Sequence, residues 1–333
     1  MGDGGQCETR MKIQLLETSV RNNQQYDISE ISSFPKWTTN TNSQPGKLEF
    51  EMLDDKNVFL LDGDIIELKI DGRNIFKGKV FVRERKKEGK WRVVAYDTTR
   101  YLQNEDTLVF AASTASNRFK MICQAQGLAY KVLDASSYNC VASVEDKNTY
   151  YSMLETAITE TRQQQKTRYS FWDNYGTLEF FDLNRMITKL VIGDNSLLTD
   201  YSYSASIDDA ANTVKVVREN SDSGKREIYT AQNTTNISRW GKLQVVETIS
   251  DADLNSSQLQ AKANALLSEK NSVTKTLSIE AIGNLEIRAG KCFTLRLSDL
   301  TRDGIGNDNL ALVTSCQHDF SDGHTMSLEI EVI

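Results

Sequence analysis

The sequence contains little proline and little histidine, with two residues of each among 333. The two prolines, Pro35 and Pro45, exclude long proline-rich linkers. The two histidines, His318 and His324, stand without the CxxC or HExxH spacings that bind zinc. We therefore predict that the chain holds no metal and no cofactor.

The sequence also lacks long apolar runs. None approaches the roughly 20 residues that a membrane-spanning helix requires, so we predict no membrane segment. The first residues, MGDGGQCETRMKIQLLETS, have no apolar centre of signal-peptide length. This pattern predicts synthesis in the cytoplasm.

Cysteine is sparse, odd in number and scattered. The five residues are Cys7, Cys123, Cys140, Cys292 and Cys316. This pattern is typical of reduced thiols buried as small apolar groups rather than of a disulfide framework. Cys292 and Cys316 both lie in strand-like segments, and the sequence leaves open whether they are close.

The net charge is −7, which argues against general nucleic-acid binding because that binding depends on Lys and Arg neutralising phosphates. We predict no specific nucleic-acid binding. Hydrophobic residues make up 39% of the chain and charged residues 26%, as in an ordinary globular protein. The length is sufficient for two or three domains with separate cores.

Strand patterns dominate the first third. KLEFEM alternates Leu48, Phe50 and Met52 with charged residues, the period-two pattern of a half-buried strand. The same alternation flanks Asp71-Gly72, a dipeptide typical of tight hairpin turns. The segment VFVRERKKEGKWRVVAYD predicts a second hairpin that turns at Glu88-Gly89.

Helical patterns appear in the middle of the chain. STASNRFKMICQAQGL predicts a short amphipathic helix capped by Ser113 or Thr114 and ended by Gly127. TYYSMLETAITETRQQQ predicts a second helix, and RYSFWDNYGTLEFFDL predicts a hairpin around Asp173–Gly176. Strand patterns return from about Val191 and are interrupted by one helix in LNSSQLQAKANALLSEKN. The order predicts a β-rich α+β fold.

Several stretches could carry chemistry, and each has a simpler structural interpretation. A basic run could bind phosphate, but it lies at a predicted hairpin tip and has one glycine, Gly89, where phosphate cradles use several. The run comprises Arg85, Lys86, Lys87 and Lys90. Cys316 and His318 share a strand face as a nucleophile and base would, without a third group to orient them.

Acidic stretches give similarly weak signals. The carboxylate pairs that could serve a glycosidase are Glu105-Asp106, Asp208-Asp209 and Asp251-Asp253. All three lie in predicted loops. The stretches from Asp182 to Asp194 and from Asp303 to Asp308 faintly resemble calcium loops but lack the alternating oxygen ligands and final glutamate. We therefore predict no catalytic residue and no enzymatic activity.

Aromatic residues are unusually dense between Phe171 and Phe181. The five are Phe171, Trp172, Tyr175, Phe180 and Phe181. They predict an apolar core beneath the two helices. A stacking platform for bases or sugars is the alternative.

Residues at both ends of the chain resemble one family. The segment from Pro45 to Phe110, with its DGRNIFKGKV hairpin and YDTTRYL element, resembles the N-terminal signature of baseplate hub proteins of contractile phage tails and phage-tail-like bacteriocins, the XkdQ/YqbQ type. The helix around TASNRFKMICQAQGL is similar to the next segment of that family. Near the C-terminus, IEAIGNLEIRAGKCFTL and VTSCQHDFSDGHTMSLEIEV resemble the closing strands of the same family.

The resemblance implies two tube-like β-barrel domains, residues 1–110 and 191–333, with a smaller α+β domain at residues 111–190. It implies a structural hub that joins the tail tube to the central spike and forms a homotrimeric ring. The implied partners are further copies of the chain, the tail tube protein, the central spike protein, and baseplate wedge and LysM-type tail proteins.

The resemblance implies that the protein is synthesised in the bacterial cytoplasm, assembled into a phage tail or tail-like particle, and released on lysis. The sequence ends at its last strand, without a spike or lysozyme-like extension, so piercing or lysis is expected from a separate chain. In this interpretation, Tyr96-Asp97 and Arg100-Tyr101-Leu102 form a strand exit at the junction between barrel and inserted domain.

Two alternatives from other classes stay open. The first is a tail-associated cell-wall hydrolase that uses one of the carboxylate pairs. The second is a glycan-binding adhesin that uses Phe171, Trp172 and Tyr175. The sequence also leaves open whether the tail carries DNA or belongs to a headless bacteriocin.

Overall fold

A computed structural model gives the structure of the chain and describes residues 11–41, 44–55, 58–220, 225–249, 255–305 and 308–333. The chain forms two compact units. Unit 1 is built from the described residues up to Tyr201 and from Ser278 onward, and unit 2 spans Ser202–Leu277. The chain passes from the first to the second unit within one strand and returns within another.

The strands of the first half are β1 (Ile13–Thr18), β2 (Gln25–Asp27), β3 (Ser32–Asn40), β4 (Lys47–Leu53), β5 (Ile65–Ile70), β6 (Arg73–Lys86), β7 (Lys90–Tyr96), β8 (Glu105–Phe110), β9 (Ser113–Thr114), β10 (Tyr130–Val132), β11 (Asn139–Cys140) and β12 (Ser143–Thr149). The later strands are β13 (Tyr169–Asp173), β14 (Leu178–Asp182), β15 (Ile187–Gly193), β16 (Leu198–Ser206), β17 (Thr213–Asn220), β18 (Lys225–Gln232), β19 (Gln244–Ile249), β20 (Thr274–Ile282), β21 (Cys292–Arg296), β22 (Asn309–Asp319) and β23 (Thr325–Val332).

The helices are α1 (Ala115–Ala125), α2 (Tyr150–Gln165), α3 (Thr234–Trp240) and α4 (Ser256–Lys270). Short 3-10 helices occupy Ser29–Ile31, Thr98–Gln103, Leu183–Met186 and Ser298–Asp303. Within the described ranges, no helix is both long and apolar enough to cross a lipid bilayer.

The main sheet of unit 1 combines strands from both ends of the chain. Among the described residues its order is β16-β20-β23-β22-β3-β4-β7-β6-β5-β1-β2, with β21 paired to β22 and β15. The two ends meet where β3 pairs antiparallel with β22, which places Trp37 opposite His318. Residues almost the whole chain apart therefore share one sheet.

The alternating patterns of the first third are confirmed by burial. Leu48, Phe50 and Met52 on β4 are buried, and the charged residues between them are half-buried. Ile66, Leu68 and Ile70 on β5 form the same core. The predicted turns at Asp71-Gly72 and Glu88-Gly89 connect β5 to β6 and β6 to β7.

A second core lies around α1 and α2. Thr114, rather than Ser113, caps α1 because its Oγ1 accepts a hydrogen bond from the backbone N–H of Asn117 at 3.2 Å. Phe119, Ile122 and Cys123 are fully buried on α1, and residues of α2 and of the β13–β14 hairpin complete the core. Both predicted helices and this hairpin are confirmed.

Unit 2 is a three-stranded sheet covered by α4. The strand order is β18-β17-β19, with β17 antiparallel to β18 and parallel to β19. Leu259 and Ala263 of α4 pack on Val214 and Val216 of β17. Helix α3 was missed by the sequence patterns because none of its residues is buried, and a helix without an apolar face has no periodic signal.

The β-rich α+β class is confirmed, since strands outnumber helices in both units. The described strand order is an open path that ends at β16 and β2. The two tube-like barrels, and the domain boundaries at residues 110 and 190, stay predictions.

The Asp71-Gly72 turn supplies a test of the hairpin geometry. Asp71 and Gly72 have φ values of 48° and 77°, and a Cβ placed on Gly72 meets nothing within 4 Å. The cost of Gly72→Val is therefore backbone strain alone, which we expect to lower the free energy of unfolding by about 1–3 kcal/mol. Urea unfolding measures it, with Gly72→Asn as the control that tolerates positive φ. An unchanged stability in the valine variant would contradict the turn.

Candidate functional site

Cys316 and His318 lie side by side but are inaccessible. Cys316 Sγ is 3.3 Å from His318 Nε2, and neither residue is exposed to solvent. His318 Nε2 is also 2.8 Å from the carbonyl oxygen of Ile287, so this nitrogen carries the proton and cannot accept one from the thiol. Burial raises the pKa of the Cys316 thiol. The pair therefore lacks the properties of an activated nucleophile.

The two histidines connect separate segments of unit 1. His318 Nδ1 lies 2.9 Å from His324 Nε2, and since His318 Nδ1 is the acceptor, His324 Nε2–H donates. The His318 ring stacks against Trp37 with centroids 5.2 Å apart. A Cβ on Gly283 would lie 2.1 Å from the His324 ring, so only glycine allows this approach. The cluster joins the β22–β23 hairpin to the loop before β21.

Burial lowers the pKa of both histidines. The pKa of His318 falls from 6.5 to about 4, mainly because burial disfavours the imidazolium, with smaller contributions from His324 and Arg288. Burial also lowers the pKa of His324. Both rings are therefore neutral hydrogen-bonding groups near neutral pH, which is a structural role.

The carboxylate pairs do not form an acid and base couple in the described residues. Asp106 accepts hydrogen bonds from Tyr150 Oη and the Thr107 N–H, which lower its pKa, while Glu105 is exposed. Asp208 and Asp209 are exposed in unit 2. Asp251 and Asp253 lie outside the described residues. A glycosidase acid requires a raised pKa, whereas the hydrogen bonds to Asp106 lower its pKa.

The two calcium-like stretches serve local structure where they are described. Asp182 caps the 3-10 helix that comes after it, and Asp194 accepts hydrogen bonds from Ser298. Asp308 pairs with Arg296 at 2.6 Å, while the centre of the stretch from Asp303 falls outside the described residues. No cluster of metal-ligand side chains occurs within the described part of the chain.

The aromatic residues divide between two faces of the β13–β14 hairpin. Phe171 and Phe180 are buried against α1 and α2, as the core interpretation predicts. Phe181 is buried on the opposite face, where its ring lies 4.2 Å from that of Trp172. Trp172 and Tyr175 are only half-buried. The five residues therefore do not form one continuous stacking surface.

The basic hairpin tip is largely neutralised by acidic residues on β4 and directly after it. Arg85 pairs with Asp54 and Lys86 pairs with Glu51, each at 2.5 Å. Lys87 is exposed at the turn. Such surface pairs are solvated and contribute little, so the tip resembles an ordinary exposed hairpin rather than a phosphate site.

The corner after β7, which the sequence analysis describes as a strand exit, is held by local hydrogen bonds. Asp97 is buried and its side chain accepts hydrogen bonds from the N–H and the hydroxyl of Thr99, at the start of the next 3-10 helix. The Asp97 N–H donates to the Gly46 carbonyl at 2.9 Å, and the Gly46 N–H donates to Thr99 Oγ1 at 3.2 Å. Leu102 is fully buried beside them.

A charged cluster behind this corner has no signature in the sequence. Arg288 lies between two tryptophans, with Cζ 5.4 Å from the Trp37 ring centroid and 4.7 Å from that of Trp172. Its Nη2 donates to the Asp173 carbonyl at 2.9 Å. Burial and the neighbouring Asp173 raise the pKa of Asp97, and the Arg288 guanidinium opposes that rise. Sequence patterns missed this cluster because its members come from four distant segments.

All four described cysteines are free thiols and buried. This confirms the interpretation as reduced apolar groups for Cys123, Cys140, Cys292 and Cys316. Cys292 lies on β21 opposite Leu312, and Cys316 lies four residues further along β22. Cys7 falls outside the described residues.

Two Bacillus subtilis proteins resemble the chain in sequence. The protein YqbQ is 29% identical over 274 residues, which is 81% of each chain. The phage-like element PBSX protein XkdQ is 28% identical over the same length and the same share of each chain.

Solved structures of phage tail proteins share the fold. The 43 kDa tail protein of prophage MuSo2 from Shewanella oneidensis matches with a TM-score of 0.66 at 10% identity, over 96% of this chain and 98% of that one. An Escherichia coli component of the type VI secretion system, described as similar to the T4 tail proteins gp27 and gp5, matches with a TM-score of 0.52 at 9% identity, over 98% and 76%.

The model of the YqbQ-like family matches residues 35–331. This range contains the segments that carried the resemblance, from the KLEFEM strand to the closing β22–β23 hairpin, except for the last residue of β23. The resemblance drawn from the sequence is therefore confirmed, and the chain belongs to the YqbQ-like family.

Proposed function

We propose that the chain is the structural baseplate hub of a contractile tail, where it joins the tail tube to the central spike. The observation that carries this proposal is a YqbQ-like sequence over nearly the whole chain combined with the fold of phage tail proteins from end to end. The fold similarity to a type VI secretion component, itself described as similar to T4 gp27 and gp5, supports a position next to the spike.

The proposed assembly is a homotrimeric ring beneath the tube. Two tube-like domains per chain, residues 1–110 and 191–333, present six similar surfaces in a trimer, which matches a six-fold tube. The smaller α+β domain of residues 111–190 is attached to these two domains. The proposed partners are the tail tube protein, the central spike protein, and baseplate wedge and LysM-type tail proteins.

The open sheet supports ring formation. In the described strand order, β2 and β16 end the path, so each has one edge without a partner strand in that path. Exposed edges invite pairing with other chains, and natural proteins cover them. Head-to-tail contacts around a three-fold axis cover such edges and close the ring without leaving one free.

The copy number in an intact tail particle tests this proposal. We expect three copies on the tube axis, measured by electron microscopy of the assembled tail with three-fold averaging at the tube end. The mass of the isolated chain is a weaker measure because a hub can stay monomeric until the tube or spike joins it. Six copies, or a position away from the axis, would refute the hub.

Finding the protein in an intact tail particle would also test its proposed location. We propose assembly into a phage tail or tail-like particle in the bacterial cytoplasm, followed by release on lysis. The two other candidate functions have less support, because hydrogen bonds lower the pKa of Asp106 rather than raise it, and the aromatic residues do not share one surface. Zymography on peptidoglycan and glycan-array binding separate these candidates from the hub.

A further inference from the structure

A cavity of about 440 Å³ opens in unit 1 beside the Trp172 ring. Its lining includes four cationic side chains. One is Arg288 of the charged cluster, and the other three, here called the rim cations, come from separate segments: Arg73 at the start of β6, Lys189 on β15 and Lys291 just before β21. Leu285 and the Trp172 ring supply an apolar wall. A cationic rim around an apolar wall is unexpected in a chain whose net charge is −7.

The salt bridges of the described residues do not involve the rim cations. None of the three forms an ion pair with a described carboxylate, whereas many exposed cations elsewhere, such as Lys86 with Glu51, do so. Glu286 is the acidic residue of the lining. Glu179 is buried next to Trp172. Its two carboxylate oxygens accept hydrogen bonds from Trp172 Nε1 and from Asn174 Nδ2, each at 3.1 Å. The cavity keeps an excess of positive charge.

Lys291 lies close to a second cation, Arg288, at the Trp172 ring. Its Nζ lies 5.2 Å from the Trp172 ring centroid, on a ring that already carries Arg288 at 4.7 Å. Burial lowers the pKa of Lys291 and repulsion from Arg288 lowers it further, while attraction to Glu286 and Glu179 opposes that fall. An anion placed between the rim cations would relieve this repulsion, which is the condition for favourable binding.

The Trp172 ring is held in a fixed position before any ligand binds. The hydrogen bond to Glu179 fixes the ring, and Gly290, with φ of 87°, brings the loop so close that a Cβ there would lie 3.3 Å from the ring. A binding wall that is already ordered loses less entropy when a ligand binds.

We propose that this cavity binds an acidic segment of a partner protein, with its carboxylates on Arg73, Lys189 and Lys291 and an apolar side chain on Trp172 and Leu285. A compact phosphate fits less well, because phosphate sites typically use backbone N–H groups at a helix N-terminus and these cations come from three separate segments of a wide, partly apolar opening. The lining belongs to one chain, so the proposal does not depend on the trimeric hub.

Fluorescence anisotropy of a dye-labelled hexapeptide of alternating glutamate and leucine tests the proposal on the full chain. We expect saturable binding that weakens between about 0.05 M and about 0.5 M salt, because salt screens exposed charges. Lys291→Gln and Lys189→Gln should each weaken binding about two- to fivefold, and the double variant about tenfold, as exposed ion pairs do.

The matched control is Lys131→Gln, which removes one exposed positive charge on β10, outside the cavity lining, and should leave binding unchanged. A glutamine-leucine peptide should not bind. Unaltered thermal melts of the variants exclude unfolding as the cause. Absence of saturable binding, or equal losses in Lys131→Gln and Lys291→Gln, would overturn the site. Displacement of the peptide by inorganic phosphate at low concentration would overturn the assignment to a protein carboxylate.

Discussion

Replacing Arg288 by methionine is expected to lower the free energy of unfolding by about 3–5 kcal/mol, the cost of removing one partner from a buried charge cluster. Methionine keeps much of the side-chain volume between Trp37 and Trp172 but leaves Asp97 and Asp173 without their cation. It also leaves the Asp173 carbonyl without the hydrogen bond from Nη2. Urea unfolding of the full chain measures the loss.

The deficit of Arg288→Met should depend on pH in a defined direction. The pKa values of Asp97 and Asp173 are already raised, chiefly by burial, and loss of the guanidinium raises them further. A group whose pKa is raised on folding stabilises the folded state at low pH and loses that contribution as pH rises. The deficit should therefore be larger at about pH 8 than at about pH 5.

Two further variants separate charge from packing. Arg302→Met removes an exposed arginine and should change stability by less than about 0.5 kcal/mol. Asp97→Asn in the Arg288→Met background removes the uncompensated carboxylate while keeping a side-chain oxygen for the Thr99 N–H. We expect this double variant to recover part of the loss in a double-mutant cycle. If Arg288→Met is as stable as the parent, the conclusion that Arg288 stabilises the buried carboxylates is wrong.

The second large effect that we expect is a loss of folding stability at low pH caused by protonation linked to His318. The pKa of His318 is lowered from 6.5 to about 4, so the folded state binds its proton less readily than the unfolded chain does. The stability that neutral His318 supplies is fully present above about pH 6.5 and is lost progressively down to about pH 4. At 1.4 kcal/mol per pKa unit this loss amounts to about 3 kcal/mol.

Other buried groups act in the opposite direction, so the parent curve alone is not diagnostic. Burial and the neighbouring Asp64 raise the pKa of Glu17 to about 7, and Asp97 is raised as well. These carboxyl groups gain protons on folding, and their contribution improves as pH falls. The useful quantity is the change in unfolding free energy between about pH 7.5 and about pH 4.5, compared between variant and parent.

His318→Gln should have less stability at neutral pH, because the hydrogen bonds to Ile287 and His324 and the stack on Trp37 are altered. Its loss on acidification should be smaller than that of the parent by about 2–3 kcal/mol, because the titrating group is gone. Glu17→Gln is the control of opposite sign and should make the acid loss larger. An acid profile of His318→Gln parallel to the parent would show that His318 is not the titrating group.

The hairpins and long helices were predictable because their determinants are local. The alternation in KLEFEM, the Asp71-Gly72 turn and the apolar stripes of α1 and α2 each depend on residues a few positions apart. The amphipathic stripe of α1 and the end at Gly127 were likewise set by neighbouring residues. The family resemblance rested on the order of the same local elements. Helix α3 was not predicted because none of its residues is buried, so it has no apolar stripe.

Which distant residues lie together depends on how the strands pair across the sheet. The pairing of β3 with β22 places Trp37 beside His318, and the loop after β20 then brings Arg288 between Trp37 and Trp172. A lone arginine in a loop has no periodic pattern, and its role depends on burial and on charges from other segments. Local patterns in the sequence were sufficient to predict most of the hairpins and helices, the fold class and the family. The charged cluster, the histidine cluster and the cationic cavity were decided by the packing of segments remote in the chain, because burial and electrostatic interactions depend on distance in space rather than in sequence.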